Sequence, residues 1–327
     1  MLKKWMLLLA ATISGISFVL GNACTATAET ASFTAIPQLP DNQLDKQASS
    51  FHLQVFPNLE QTMYLRLENT TDQAITVLPS LSRGHTNEKG SVVFDQSARQ
   101  LDDSAQANIE EIASVDRREI RLAPHAVQDL PIQIKMPAVR LKGIQLGAVC
   151  LRQKNTDQTT EIPLILQSSE PEQLPTQLVL EQAEATQKED RNVISQKIRN
   201  LQPKYVRLSE VKGSVTRKGE EHILYQTKQQ EVELAPNDAM NLIIPLKGRP
   251  FEPGVYVATF KVWEGSQSWK LTKEFVIKND QCQKLNKQDA ALRKRPTLFQ
   301  QYKWVVLLQI VLVAAILRLS MYLRVWK

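Results

Sequence analysis

The chain has 327 residues, a formal net charge of +6 at pH 7 and a pI near 9.1. The excess does not point to nucleic acid: Lys3 and Lys4 contribute +2, nine Lys/Arg against two Asp from Asp280 onward contribute +7, and −3 is left for the body between. Three cysteines are too few for a disulfide scaffold, so the domains must be held by their cores.

Residues 1–28 have the form of a secretory signal. Lys3 and Lys4 start it, Met6 to Leu20 are its apolar core, and Ala26-Thr27-Ala28 is a small-residue cleavage site, with the cut between Ala28 and Glu29. Cys24 raises a lipid-modified N-terminus instead, which the preceding Gly21-Asn22-Ala23 fits poorly. With the cut at Ala28, Cys150 and Cys282 remain.

Residues 29–168 read as a first domain of half-buried strands. Phe51, Leu53 and Val55 alternate with polar neighbours, as do Met63, Leu65 and Leu67. Turn chemistry at 68–72 precedes Ile75 to Val77. Further strands are expected at Val92–Phe94, Ile120–Leu122, Leu130–Ile134, Leu146–Leu151 and Ile162–Leu166. Segment 96–114 reads as a long loop or a short helix. Leu122-Ala-Pro124 and Ile134 to Pro137 suggest a hinge followed by an edge strand, where proline is tolerated. Cys150, in an apolar run, reads as an inert buried thiol.

Leu174-Pro175 marks a linker, and residues 169–280 form a second strand set. Strands begin at Leu178, Val193, Tyr205, Val211, Met240 and Pro253, with a polar turn at Glu184 to Asp190. Glu264-Gly265-Ser266 joins the strand ending near Val262 to Trp269–Ile277 as a hairpin. The expected fold is mainly β: two immunoglobulin-like β-sandwiches in tandem.

Residues 281–303 then read as a basic linker, and 304–323 as a single transmembrane helix with a short tail at 324–327. Trp304 and Trp326 suit the two interfaces, and Arg318 sits near enough to one end to snorkel. A buried helix of a soluble domain is the alternative reading. The flanking charges oppose the orientation on a simple count, and the cleaved signal decides it: ectodomain outside, C-terminus in the cytoplasm. Cys282, beside the membrane, is a candidate for an intermolecular disulfide.

Catalytic arrangements are not legible. His52, His85, His125 and His222 are scattered, without metal-ligand spacing, and there is no Gly-x-Ser-x-Gly elbow or phosphate loop. No cofactor or metal is expected. A β protein of this kind binds something, through sheet edges or exposed aromatics. In the second domain Tyr256, Trp263 and Trp269 are candidates for a partner patch, with at least one of the two tryptophans expected in the core.

Several landmarks resemble one family, the WxL-interacting proteins of Gram-positive bacteria. They are Asn42-Gln43, Phe51 to Pro57, Leu67-Glu-Asn69, Thr86 to Gly90, Lys135-Met-Pro137 and Gly143 to Gly147 in the first domain. In the second they are Val211-Lys-Gly213, Ala235-Pro-Asn237, Pro253 to Tyr256, and Trp269 leading into Phe275-Val-Ile277. Asn58 and Ala148 stand where the family tends to have glycine. The resemblance implies a peptidoglycan-binding first domain and a host-binding second one. It also implies WxL-domain surface proteins as partners and a host extracellular-matrix protein as a ligand. Because amides and hydroxyls suit glycan recognition, Asn42, Gln43, Thr86 and Asn87 are the peptidoglycan-contact candidates, with turn and cap roles as the alternative. The rival to a surface scaffold is a chaperone-like assembly factor acting by β-strand addition.

Overall fold

A computed structural model describes residues 32–95 and 100–293. The expected signal with its Ala28–Glu29 cut, and the expected anchor with Trp304, Arg318 and Trp326, lie outside the described residues. Among those described, no helix is long and apolar enough to cross a membrane.

The chain is mainly β. The first unit contains β1 (Phe33–Gln38), β2 (Phe51–Gln54), β3 (Glu60–Asn69), β4 (Ile75–Arg83), β5 (His85–Thr86), β6 (Val92–Val93), the short helix α1 (Ile109–Ile112), β7 (Ala113–Val115), β8 (Ile120–Leu122), β9 (Val127–Lys135), β10 (Ile144–Gln153) and β11 (Thr159–Gln167). Its two sheets have the orders β1-β3-β9-β7 and β2-β11-β10-β4-β8. Phe33, Met63 and Leu130 from one sheet share a core with Phe51, Val77, Val149 and Leu164 from the other. Each such side chain contributes ~1.5–3 kcal/mol by leaving water. Period-two burial in β3, with Met63, Leu65 and Leu67 inside and Tyr64 and Arg66 outside, is what puts those side chains there.

The second unit contains β12 (Leu178–Lys188), β13 (Arg191–Asn200), β14 (Val206–Arg217), β15 (Ile223–Leu234), β16 (Asp238–Pro245), β17 (Gly254–Glu264), β18 (Gln267–Ile277) and the helix α2 (Asn279–Gln288). Its sheets run β12-β13-β16 and β15-β14-β17-β18 around a second core that includes Ile194, Leu208, Leu242 and Phe260. The immunoglobulin-like expectation fits in part. Both units are two-layered and almost wholly antiparallel, but β2 pairs parallel to β11 and the β5–β6 hairpin leaves both main sheets of its unit.

Three expectations need correction. Strand β9 is internal, between β3 and β7, although it contains Pro131. The proline is tolerated because β7 is only three residues long and its pairing stops at Val115–Ile132. The polar turn at 184–190 shrinks to Glu189 and Asp190. Both have positive φ, +49 and +56, as a two-residue type I′ hairpin requires, while Ala183 and Ala185 are core residues of β12. Finally, the segment read as a linker from residue 281 begins inside α2, whose Cys282 is 3% exposed against the second core. A buried thiol has no route to an intermolecular disulfide.

The units touch through a clasp made by the β5–β6 hairpin. Thr86 N donates to Asp238 Oδ2 at 2.5 Å, Thr86 Oγ1 accepts from Ala235 N at 2.8 Å, and Gly90 O accepts from Glu233 N at 2.7 Å. Gly90 has φ +77, and a Cβ there would meet Val232 at 2.8 Å, so glycine permits both the turn and the close approach. Asp102 and Arg199 add an ion pair between the units, and Glu88 pairs with Lys188.

Candidate functional site

After β1 the chain folds back along β2. Leu44 N donates to His52 O at 2.8 Å and Gln54 N to Asn42 O at 2.9 Å, which fixes the 40–50 loop on that strand. Gln43 is the peg of this loop. It is 4% exposed; its Nε2 donates to Asp45 O and Ser50 O, and its Oε1 accepts from His52 N. Such an amide holds the loop and has nothing left to offer a ligand.

Asn42, next to it, is half-buried and faces an open depression of about 460 Å3 lined by Pro40, Asp41, Asn42, Gln54, Phe56, Leu59 and Gln61. Asn42 and Gln61 exchange reciprocal amide bonds, both 3.0 Å, and Asn42 Nδ2 also donates to Gln54 O at 2.9 Å. Phe56 stands beside the pair with 52% of its surface exposed. It is thrust outward by the turn Phe56-Pro57-Asn58-Leu59, in which Leu59 N donates to Phe56 O. Asn58 holds φ +59 there, so the asparagine takes the left-handed conformation that a glycine would otherwise supply. An aromatic wall next to fixed amides suits a ligand with an apolar face and hydroxyl groups.

The other candidates of the first unit lie elsewhere. Thr86 is fully buried in the clasp. Asn87 Oδ1 accepts from Lys89 N and Ser91 N, shaping the hairpin tip as an Asx turn. The structure thus separates Asn42 from Thr86 and Asn87, and the aromatic side chain beside Asn42, Phe56, was missed in the sequence. Its signal was an aromatic placed directly after Val55, where the alternation demands an outward residue.

In the second unit Tyr256 is a core side chain, 2% exposed and stacked on Phe275 at 5.6 Å, with its hydroxyl donating to Glu252 O at 2.8 Å. Burial pushes its phenol pKa up. Trp269 pairs across from buried Val262 and packs on the inner face, whereas Trp263 is on the outer face under Lys212, 4.9 Å from Nζ to the ring centroid. The three aromatics therefore do not form one patch. The histidines are also dispersed: His52 meets Gln167, His85 meets Asp95 and His125 meets Asp72. Among the described residues no His/Cys/Asp/Glu group could hold a metal ion.

Comparison with protein families divides the chain into two matches. Residues 33–153 match the peptidoglycan binding domain of the WxL Interacting Protein family, and residues 155–287 match its host binding domain. The chain belongs to the WxL-interacting proteins. The boundary between the two matches falls between β10 and β11, so the segment matching the host binding domain includes the strand that completes the first sandwich. No curated protein matches the chain. Similar solved structures include the CupB2 chaperone of Pseudomonas aeruginosa, at 13% identity and TM-score 0.28, covering 71% of this chain and 99% of that one. The CsuC–CsuE chaperone–tip subunit complex of Acinetobacter baumannii has 10% identity and TM-score 0.31, over 65% and 90%. At such scores these likenesses carry no argument.

Proposed function

We propose that the protein is a non-enzymatic cell-surface scaffold of a Gram-positive bacterium. Its first sandwich holds peptidoglycan, its second presents a surface to a host ligand, and it gathers WxL-domain surface proteins at the wall. The carrying observation is the depression where exposed Phe56 stands beside the Asn42–Gln61 amide pair, within the segment that matches the peptidoglycan binding domain. A glycan strand offers what that site takes: sugar rings with an apolar face, bordered by hydroxyl and amide groups. The localisation belongs to the same proposal. A cleaved signal ending at Ala28 exports the body, and the helix 304–323 holds it in the membrane with the C-terminus inside.

The test uses the full chain in detergent. It should co-sediment with purified peptidoglycan sacculi and capture WxL-domain proteins from a cell-surface extract. A chain that does neither overturns the proposal.

A further inference from the structure

The outer face of the sheet β15-β14-β17-β18 carries a feature that peptidoglycan binding leaves unused. Lys228 lies opposite Lys212, Lys212 opposite Lys261, and Lys261 opposite Lys270. One lysine thus comes from each of the four strands, in a single line across the sheet. With strands ~4.8 Å apart, the line spans ~14 Å.

Like charges set directly opposite one another destabilise an antiparallel pair. One half of the line is compensated: Glu210 bridges Lys212 and Lys228, and the Lys212 ammonium sits over the Trp263 ring. The other half is not. Lys261 and Lys270 are exposed, and neither has a carboxylate partner among the described residues. Protection of sheet edges accounts for lysines on β15 and β18, but Lys212 and Lys261 are on the two interior strands.

The surroundings of the line narrow its partner. On one side, in the adjacent row, Trp263 lies opposite Glu210 and Ser268. On the other side Ser214, Thr259 and Thr272 form a hydroxyl row. The face therefore offers an indole for a sugar ring, a line of cations for regularly spaced oxyanions, and hydroxyls beside them.

We propose that this face docks a sulfated polysaccharide of the host, laid across the four strands with its sulfates on the lysine line, Lys212 leaving the indole to meet a sulfate and a sugar ring taking its place on Trp263. The inference names the ligand class for the host-facing role proposed above for the second sandwich, and rests on it. The attraction between sulfates and ammonium groups on an exposed face falls with salt.

The experiment titrates the immobilised full chain in detergent with a heparin decasaccharide at about 0.15 M salt. Three proteins are compared: wild type, Lys261→Ser/Lys270→Ser, and Lys284→Ser/Lys287→Ser, which removes the same charge from the exposed face of α2. The first double variant should weaken heparin binding about tenfold or more, and the second by less than about twofold. Trp263→Ala should weaken heparin binding while leaving inorganic polyphosphate binding unchanged. Equal weakening by both double variants, no measurable wild-type binding, or tighter binding of a glycerol-phosphate polymer than of heparin would each overturn the proposal. Retention on sacculi, measured on the same proteins, reports the first sandwich alone, so a failure there is separable from a failure here.

Discussion

Asn69 and Asn200 hold the same position in the two sandwiches. Each is the fully buried last residue of its strand, β3 or β13. In each, Nδ2 donates to the carbonyl four residues on, Gln73 O at 2.7 Å or Lys204 O at 2.8 Å. A second bond reaches a distant segment, Ala123 O at 2.8 Å or Ala235 O at 2.9 Å. Each Oδ1 accepts from the amide two residues on, Thr71 N at 3.0 Å or Gln202 N at 3.1 Å. One asparagine thus ties the same corner of both units.

Replacing the asparagine by alanine strands one N–H in either unit, together with three carbonyls at Asn69 (Gln73, Leu122 and Ala123) and two at Asn200 (Lys204 and Ala235). The expected loss is about 1–3 kcal/mol of unfolding free energy for each variant, read from urea titration of the full chain. Asn→Asp should cost more, because it turns a double donor into an acceptor facing carbonyl oxygens. Variants within ~0.5 kcal/mol of wild type would show that the corners hold without them.

Arg199 and Asp102 predict an acid-sensitive junction. Arg199 Nη2 donates to Asp102 Oδ1 at 2.6 Å and Nε to Oδ2 at 2.8 Å, with both side chains largely shielded. Burial pushes the Asp102 carboxyl up, but bonds from Arg199 and Ser104 outweigh it, and the pKa ends below its ordinary value. A depressed carboxylate stabilises the fold fully above ~3.9, its unfolded value, and that stability drains away as pH falls through the lowered folded value. Arg199→Met should cost about 1.5–3 kcal/mol at neutral pH. The gap between wild type and Asp102→Asn should close as the solution is acidified below that range. Proteolysis in the linker at 171–176, followed against pH, reads the opening; a gap that stayed constant with pH would refute the linkage.

How much of this was legible in the sequence depended on which faces were buried. β3 and β9 were plain, because large side chains alternate with polar ones on strands with one face on the core. β15 was not: it is an edge strand whose run from Ile223 to Glu231 has no fully buried side chain, Leu224 and Tyr225 being only partly covered, so the alternation is clear only at Val232 and Leu234. α2 was hidden for the same reason, since Cys282 is its one buried residue and its other positions read as a polar tail. The site divided along similar lines. Asn42 could be named from its residue type, but the same reasoning named Gln43 and Thr86, whose hydrogen bonds turn out to be spent inside the fold. Which polar groups remain for a ligand depends on backbone partners far away in the sequence. The lysine line needed strand register, which composition does not contain.

Phe56 gives the sharpest test of the peptidoglycan site. Because the ring is more than half exposed, Phe56→Ala should leave stability within ~0.5 kcal/mol of wild type while reducing retention on sacculi. Gln61→Ala, which breaks the reciprocal pair with Asn42, should weaken retention as well. Gln43→Ala should behave in the opposite way, lowering stability because its three backbone partners lose their bonds. If Phe56→Ala bound sacculi as wild type does, the glycan contact would have to be sought elsewhere on the first sandwich.

Cys282 makes the last prediction. Its thiol lies against the second core; burial pushes its pKa up, and the negative charges of Asp280 and Glu252 push in the same direction. Since the thiolate is the reactive form, the native protein should resist a maleimide at pH 8, and peptide mapping should find Cys282 labelled only after denaturation. The same shift has a consequence for stability. A thiol that holds its proton more tightly in the folded state stabilises the fold fully below ~8.5, the unfolded value, and that stability is lost as pH rises through the raised value. Alkaline solution should therefore loosen α2 before the sandwich unfolds, and labelling of Cys282 should rise more steeply with pH than the thiolate fraction of a free cysteine. Rapid labelling at pH 8, or a Cys282-linked dimer on a non-reducing gel, would show that α2 does not cover the thiol in solution.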